Sequence, residues 1–271
     1  MCTISWRLDR GEYTVFFNRD ESRMRARAIP PDIFHNEVQQ YIMPLDPQGG
    51  GSWIAVNANG LTFALLNNYQ GRLPKGRLRS RGLLVRNLTV CVSLEEVKHY
   101  LQQQNLKSYA PFSLLVFTPD VGDSLAPVPT IPLFRWDGRQ LGMNLKTSPH
   151  FSSAIEFEEV CNLRHAVYDK LITSQKEVNN QDFLYLHRSH LPSKSAQSIC
   201  MHREDACTVS FSQVSVNQSE ILFSYVDGAP CEQDIQAPVV LRRRPRDQAW
   251  NRSNDSRYVS GHRSQYKRTM R

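Results

Sequence analysis

MCTISWRLDRGEYTVFFNRDE, residues 1–21, is the stretch whose reading decides the fold. Thr3–Leu8 and Tyr13–Phe17 are rich in β-branched and aromatic residues, and the DRGE between them suits a tight turn, so the two runs predict a hairpin. The polar run Asn18-Arg19-Asp20-Glu21 then leaves the end of the second strand beside the start of the first, where Cys2 stands. Methionine is normally removed when a small residue follows it, and Cys2 then carries both a thiol and a free α-amino group. Their ordinary pKa values are about 8.5 and about 7.7–8.0, so one residue supplies a nucleophile and its general base. An arginine nearby is expected to depress the thiol pKa, and a carboxylate is expected to hold the α-ammonium.

Outward from this hairpin, residues 23–48 are polar, and Pro30-Pro31 is expected to block regular structure there. A second hairpin is predicted from Trp53–Val56 and Leu61–Leu66 around the turn NANG. Ser93-Leu-Glu-Glu96 is a capping-box pattern opening a helix to about Gln104. Ser153-Ala-Ile-Glu156 is another, followed by apolar spacing at Phe157, Val160, Leu163, Val167 and Leu171. A short helix is predicted at Asp182–His190. Strands are expected at Ser113–Phe117 and Pro132–Trp136, and a last hairpin at Thr208–Val216 and Glu220–Val226. Strands at both ends with helices between predict a layered α/β or α+β protein built on antiparallel sheet.

Apolar residues make up 40% of the 271 and charged residues 22%, ordinary for a globular chain. No run approaches the roughly 20 apolar residues of a membrane span, and no secretory signal opens the chain, so a cytoplasmic location is expected. In that reducing compartment the six cysteines are expected to be free thiols. Cys200, His202 and Cys207 are metal-ligand types, but no second pair completes a tetrahedral set, and neither metal nor cofactor is expected. The net charge of +7 sits at the end: residues 241–271 hold nine Arg and one Lys against two Asp. Residues 1–240 are then expected to form one nearly neutral domain, with 241–271 a basic disordered tail. No phosphate loop or dinucleotide fingerprint appears, and no specific nucleic-acid partner is expected.

The set MCTISW, FFNRDE, GGGSWIAVN and ALLNNY resembles the NRDE family, which includes the transport and Golgi organisation proteins and is similar to N-terminal-nucleophile hydrolases of the cholylglycine hydrolase and penicillin V acylase type. The resemblance covers roughly residues 2–230. It implies a four-layer αββα sandwich of two antiparallel sheets. It implies that Cys2 is the nucleophile, that Arg19 lies against it, and that Asp20, or Glu21 by a different spacing, binds the α-amino group. It places the oxyanion-hole asparagine at Asn67 or Asn68, leaves that choice open, and makes Arg203 the second arginine near the nucleophile. Trp53 and Tyr69, in the same motifs, are expected to contact substrate. Thr147 stands where the hydrolases carry another asparagine. Two readings follow: an amidohydrolase cleaving a small-molecule amide C–N bond through an acyl-Cys2 intermediate, or a non-catalytic binding or trafficking protein for a lipid-, acyl-CoA- or haem-like ligand.

Overall fold

Tyr13-Thr-Val-Phe-Phe17 belongs to a longer strand than its composition suggests. In a computed structural model, which describes residues 1–120 and 129–244, β1 (Cys2–Asp9) and β2 (Glu12–Ser22) form the first hairpin. The NRDE run, read above as the chain leaving the sheet, is still strand. Its backbone stays paired because β11 (Ala206–Val216) lies along the other side of β2, with Ala206 opposite Ser22. β12 (Glu220–Val226) and β13 (Val239–Arg242) follow outward, and β10 (His150–Ser152) flanks β1. The six-stranded sheet runs β10-β1-β2-β11-β12-β13, every neighbour antiparallel.

The second sheet has seven strands in chain order: β3 (Ile29–His35), β4 (Gln40–Leu45), β5 (Ile54–Asn57), β6 (Thr62–Asn67), β7 (Phe112–Phe117), β8 (Ile131–Trp136) and β9 (Leu141–Lys146). β3 corrects the expectation that Pro30-Pro31 prevents regular structure. It is an edge strand that pairs only with β4, and its register shifts between Ile29 and Asp32, across both prolines. An edge position tolerates residues without a donor. In the β5–β6 turn Gly60 has φ +80°, the left-handed region a β-carbon disfavours.

Alternation along the strands divides the apolar residues into three cores. Ile4, Trp6, Val15 and Phe17 meet Ile54, Ala64, Leu66 and Phe117 between the two sheets. On the outer face of the seven-stranded sheet, Phe63, Leu65 and Leu114 pack under α1 (Arg81–Leu88) and α2 (Leu94–Gln103). On the outer face of the other sheet, Phe16 and Phe211 pack under α3 (Phe157–Tyr168) and α4 (Asn180–Arg188). The result is the expected four layers, helix–sheet–sheet–helix. The ring of Phe16 stacks on Phe183 of α4 at 4.9 Å, and full burial of one such ring contributes about 2–3 kcal/mol.

Ser93 caps α2 by accepting from the Glu96 amide at 3.2 Å, as expected. The second capping box does not form: α3 begins at Phe157 after Glu156 at φ 41°, and the Ser153 hydroxyl bonds elsewhere. The segment after β6 leads into α1. That helix comes close because Gly51 and Gly82 lie backbone to backbone; a β-carbon on Gly51 would sit 2.1 Å from the Gly82 carbonyl carbon. The domain boundary placed at 240 falls inside β13, where Leu241 is buried and pairs with Ile221, and most of the predicted tail lies outside the described residues. Among the described residues no helix is long and apolar enough to cross a membrane.

Candidate active site around Cys2

Strand pairing puts Cys2 opposite Arg19 of β2 on one side and opposite Ser152 of β10 on the other. Cys2 faces the core between the sheets. Arg19, two residues on from Phe17, lies on the same face, and its guanidinium sits 4.3 Å from the Trp53 ring centroid. Asn18 and Asp20 alternate to the opposite face and enter the helix layer.

Asp20 is the buried carboxylate of the site. One oxygen accepts from the Thr208 hydroxyl at 2.7 Å. The other lies 3.6 Å from the Arg164 guanidinium and has no hydrogen-bond donor. Burial pushes the Asp20 carboxyl above the usual range, opposed first by Arg164 and then by the N-terminal ammonium. Glu21, the other carboxylate candidate, is partly exposed and paired with Arg19 at 3.5 Å and Arg25 at 3.6 Å.

Arg164 is the second arginine near Cys2, in place of Arg203. Arg203 lies toward the surface and pairs with Asp205 at 2.8 Å. Arg164, 1% exposed on α3, donates to the Thr3 hydroxyl at 2.7 Å and to the carbonyls of Gln197 and Ala196. Its sequence signal is an arginine on an apolar stripe, four residues after Val160 and three before Val167. Thr147 is exposed between β9 and β10.

Met1 is buried over this cluster. Its ammonium lies 3.4 Å from the Tyr69 hydroxyl and 3.5 Å from the Asp20 carbonyl. Its carbonyl accepts from the Asp20 amide at 3.1 Å, and its sulfur from the Ser153 hydroxyl at 2.9 Å. The Cys2 thiol is raised above its ordinary pKa, chiefly by burial, with the N-terminal ammonium pulling it down. The expected depression by Arg19 is outweighed by burial, and the Arg19 charge also faces Glu21 and Trp53.

The two asparagines separate by their contacts. The Asn67 amide donates to the Tyr69 hydroxyl at 2.8 Å, which joins it to the N-terminal cluster. Asn68 is buried; it donates to the Trp136 carbonyl at 3.2 Å and accepts from Arg135. β6 ends at Asn67, so strand alternation does not carry past it. Of the two residues expected to contact substrate, Tyr69 is exposed beside the N-terminus, while Trp53 lies buried under Arg19.

A cavity of about 240 Å³ opens beside Arg19, bounded also by Arg23, Arg25, Arg27, Tyr225 and Glu232. Its cationic wall suits an anionic group.

Asn18, the first letter of the motif, does not face Cys2. Its amide donates to the carbonyls of His187 and Ile199, and its oxygen lies 3.0 Å from His187 Nδ1, while His187 Nε2 lies 2.8 Å from the Ser5 hydroxyl. This Ser–His–Asn line has the spacing of a hydrolase triad, but all three residues are fully buried, so it is a structural tie between β1, β2 and α4. Burial pushes His187 down to about 3. A histidine whose folded pKa lies below its unfolded value stabilises the fold above about pH 6.5, and that stability is lost as pH falls toward 3. Urea midpoints measured between pH 7 and 4 should therefore decline, by at most about 1.4 kcal/mol per pH unit from this group. In His187→Gln, weaker overall, the decline should be shallower; an unchanged slope would remove the assignment.

No curated protein sequence matches the chain. A family model described as TANGO2, Transport and Golgi organisation 2, matches residues 1–131. Among solved structures, the chain is similar to the Caenorhabditis elegans ortholog of N-acylethanolamine-hydrolyzing acid amidase, with TM-score 0.54 at 10% identity, covering 89% of this chain and 100% of that one. It is similar to the C2A mutant of the conjugated bile acid hydrolase from Clostridium perfringens, with TM-score 0.52 at 12% identity, over 90% and 97%. It is also similar to penicillin V acylase from Agrobacterium tumefaciens, with TM-score 0.50 at 9% identity, over 90% and 100%. Likeness at such identities shows the fold of N-terminal-nucleophile hydrolases and leaves activity to chemistry.

Proposed function

We propose that this chain, whose residues 1–131 match the Transport and Golgi organisation 2 family model, is a cysteine amidohydrolase whose nucleophile is Cys2 once Met1 has been removed. The observation that carries the reading is Asp20: a buried carboxylate beside the N-terminus with one oxygen lacking a hydrogen-bond donor. That oxygen suits an α-ammonium, and Arg164 and Thr208 hold the carboxylate ready for it. The Cys2 sulfur attacks the carbonyl carbon of a small linear amide as its proton passes to the α-amino group. The tetrahedral oxyanion collapses, the C–N bond breaks, and the amine leaves with that proton. Water, deprotonated by the α-amino group of Cys2, attacks acyl-Cys2; the C–S bond breaks, the acid leaves and the proton returns to the sulfur. Removing Met1 frees the Asp20 amide and the Tyr69 hydroxyl, which now bond to Met1, as donors beside the reacting carbonyl.

Conjugated bile acids, penicillin V and N-acylethanolamines, named for the similar structures, are the first amides to try. The arginine-walled cavity favours those ending in an anion. The C2A variant named for the bile acid hydrolase indicates that a cysteine holds the second place there too. None of the six cysteines is in a disulfide, which suits the cytoplasm, where we propose that the protein works.

The asparagines test the oxyanion assignment. Asn67→Ala is expected to slow acylation by about 10²–10³ with little change in stability. Asn68→Ala should leave acylation near wild type and cost about 1–3 kcal/mol, since it orphans buried partners. Acylation is read by intact mass and stability by urea unfolding. Equal small effects on acylation would remove the assignment.

The burial of Cys2, with its thiol raised, favours a second reading: a binding protein that holds a lipid-, acyl-CoA- or haem-like ligand in the same pocket without turnover. Saturable binding that survives Cys2→Ala, with no acyl-enzyme from any amide, would support it.

A further inference from the structure

Four side chains converge at the far edge of the helix layer. His190 follows α4, Cys200 and His202 lie in the segment leading to β11, and Cys231 lies in the turn after β12. One ligand atom from each lies within 4.8 Å of all the others. The sulfurs of Cys200 and Cys231 are 3.4 Å apart, and His202 Nε2 lies 3.7 Å from the first and 3.3 Å from the second. A tetrahedron with metal–sulfur bonds of about 2.3 Å and metal–nitrogen bonds of about 2.0–2.1 Å has ligand–ligand edges of roughly 3.3–3.8 Å. These three edges fall in that range.

His190 supplies an independent sign. Its Nε2 is buried with no hydrogen-bond partner, and its ring lies 5.0 Å from that of His202. A buried imidazole nitrogen without a partner is costly unless something else occupies its lone pair. A disulfide between Cys200 and Cys231 would leave it orphaned; a cation bound through that nitrogen would not.

We infer that His190, Cys200, His202 and Cys231 form a closed tetrahedral site for one zinc ion. Two thiolates and two neutral imidazoles balance the charge of a divalent cation and match the softness of zinc. Glu232 lies 4.0 Å from His202 Nδ1, where a carboxylate orients a ligating imidazole from outside. Cys207, the third ligand considered from sequence, is not in the group; it sits on β11, bridged to His202 through the backbone. The sequence did not reveal the site because Cys231 is separated from Cys200 by a whole hairpin.

Four protein ligands leave no open position, so the ion is structural rather than catalytic. What it holds is the wall behind Asp20. Between His190 and His202 lie the Ile199 carbonyl, which accepts from Asn18, and the Met201 amide, which donates to the Thr208 hydroxyl; that hydroxyl in turn donates to Asp20. Zinc would fix this segment to the turn after β12.

The test uses the full chain without a histidine tag. Elemental analysis should find one zinc per chain, and reconstitution of the metal-depleted protein with cobalt(II) should give the intense visible bands of a tetrahedral thiolate site. Cys231→Ser and His190→Ala should each lower metal affinity at least tenfold, whereas Cys207→Ser should not. Thiol titration of the native protein guards against variants that fail to fold, since zinc shields Cys200 and Cys231 from reaction until a chelator is added. Metal-free protein with four reactive ligands, a Cys200–Cys231 disulfide seen by intact mass, or stoichiometric metal that persists in Cys231→Ser would overturn the inference.

Discussion

A chain with several residues fused ahead of Cys2 is expected to form no acyl-enzyme until a protease exposes the thiol. The fusion keeps the sulfur but turns the α-amine into an amide, which cannot accept its proton. It also keeps a carbonyl on the Asp20 amide and an upstream residue against Tyr69, the places Met1 now occupies. The loss should exceed the about 10²–10⁴ contributed by a general base, because access is lost with it. Cys2→Ala should fold normally and form no acyl-enzyme at all. Alkylation gives a readout that needs no substrate. While Met1 is present, burial holds the thiol protonated and Cys2 should react slowly; after cleavage its rate should rise well above that of Cys91, whose thiol burial pushes up to about 12. An uncleaved fusion that turned over substrate as fast as the mature chain would end the N-terminal-nucleophile reading.

Arg164→Met should be the most destabilising single change in the site, at about 3–5 kcal/mol. It strands Asp20 in the helix layer and removes donors from Thr3 and from the carbonyls of Ala196 and Gln197. Loss of the cation should raise the Asp20 pKa further above its unfolded value. A carboxyl whose folded pKa is raised gains relative stability below the unfolded pKa and loses it as pH climbs toward the folded one. The deficit of Arg164→Met should therefore shrink as pH falls from 7 toward 4, and the added change Asp20→Asn should recover part of it at neutral pH. A deficit independent of pH in urea unfolding would mean that lost packing, and not the stranded charge, is what the arginine prevents.

The first hairpin, the second hairpin and the last were legible because each carries its own signal: alternating apolar residues and a turn such as NANG. β3 was not, because its prolines argue against a strand unless one knows it lies at an edge. The polar half of β2 was hidden for a related reason, since its pairing partner, β11, lies nearly two hundred residues away. In the site, Cys2, Arg19 and Asp20 come from two motifs on one strand pair and could be named together. Arg164 shows locally only as an arginine on the apolar stripe of α3, and His190 and Cys231 join Cys200 and His202 only through tertiary packing, so local spacing does not place them at their sites. The thiol's direction was misjudged because a sequence displays neighbouring charges but not burial, and here burial is the larger effect.

The far end of β13 gives the molecule a polarity. Arg242 pairs with Glu220, and the amide of Arg244, the last described residue before position 245, donates to the Ala58 carbonyl. Both contacts lie at the turn ends of their hairpins, the end that β1 reaches at Asp9. Cys2 is at the opposite end of β1, roughly 20–25 Å away along the strand. A label or a resin attached at Arg244 itself would therefore sit at the pole farther from the thiol.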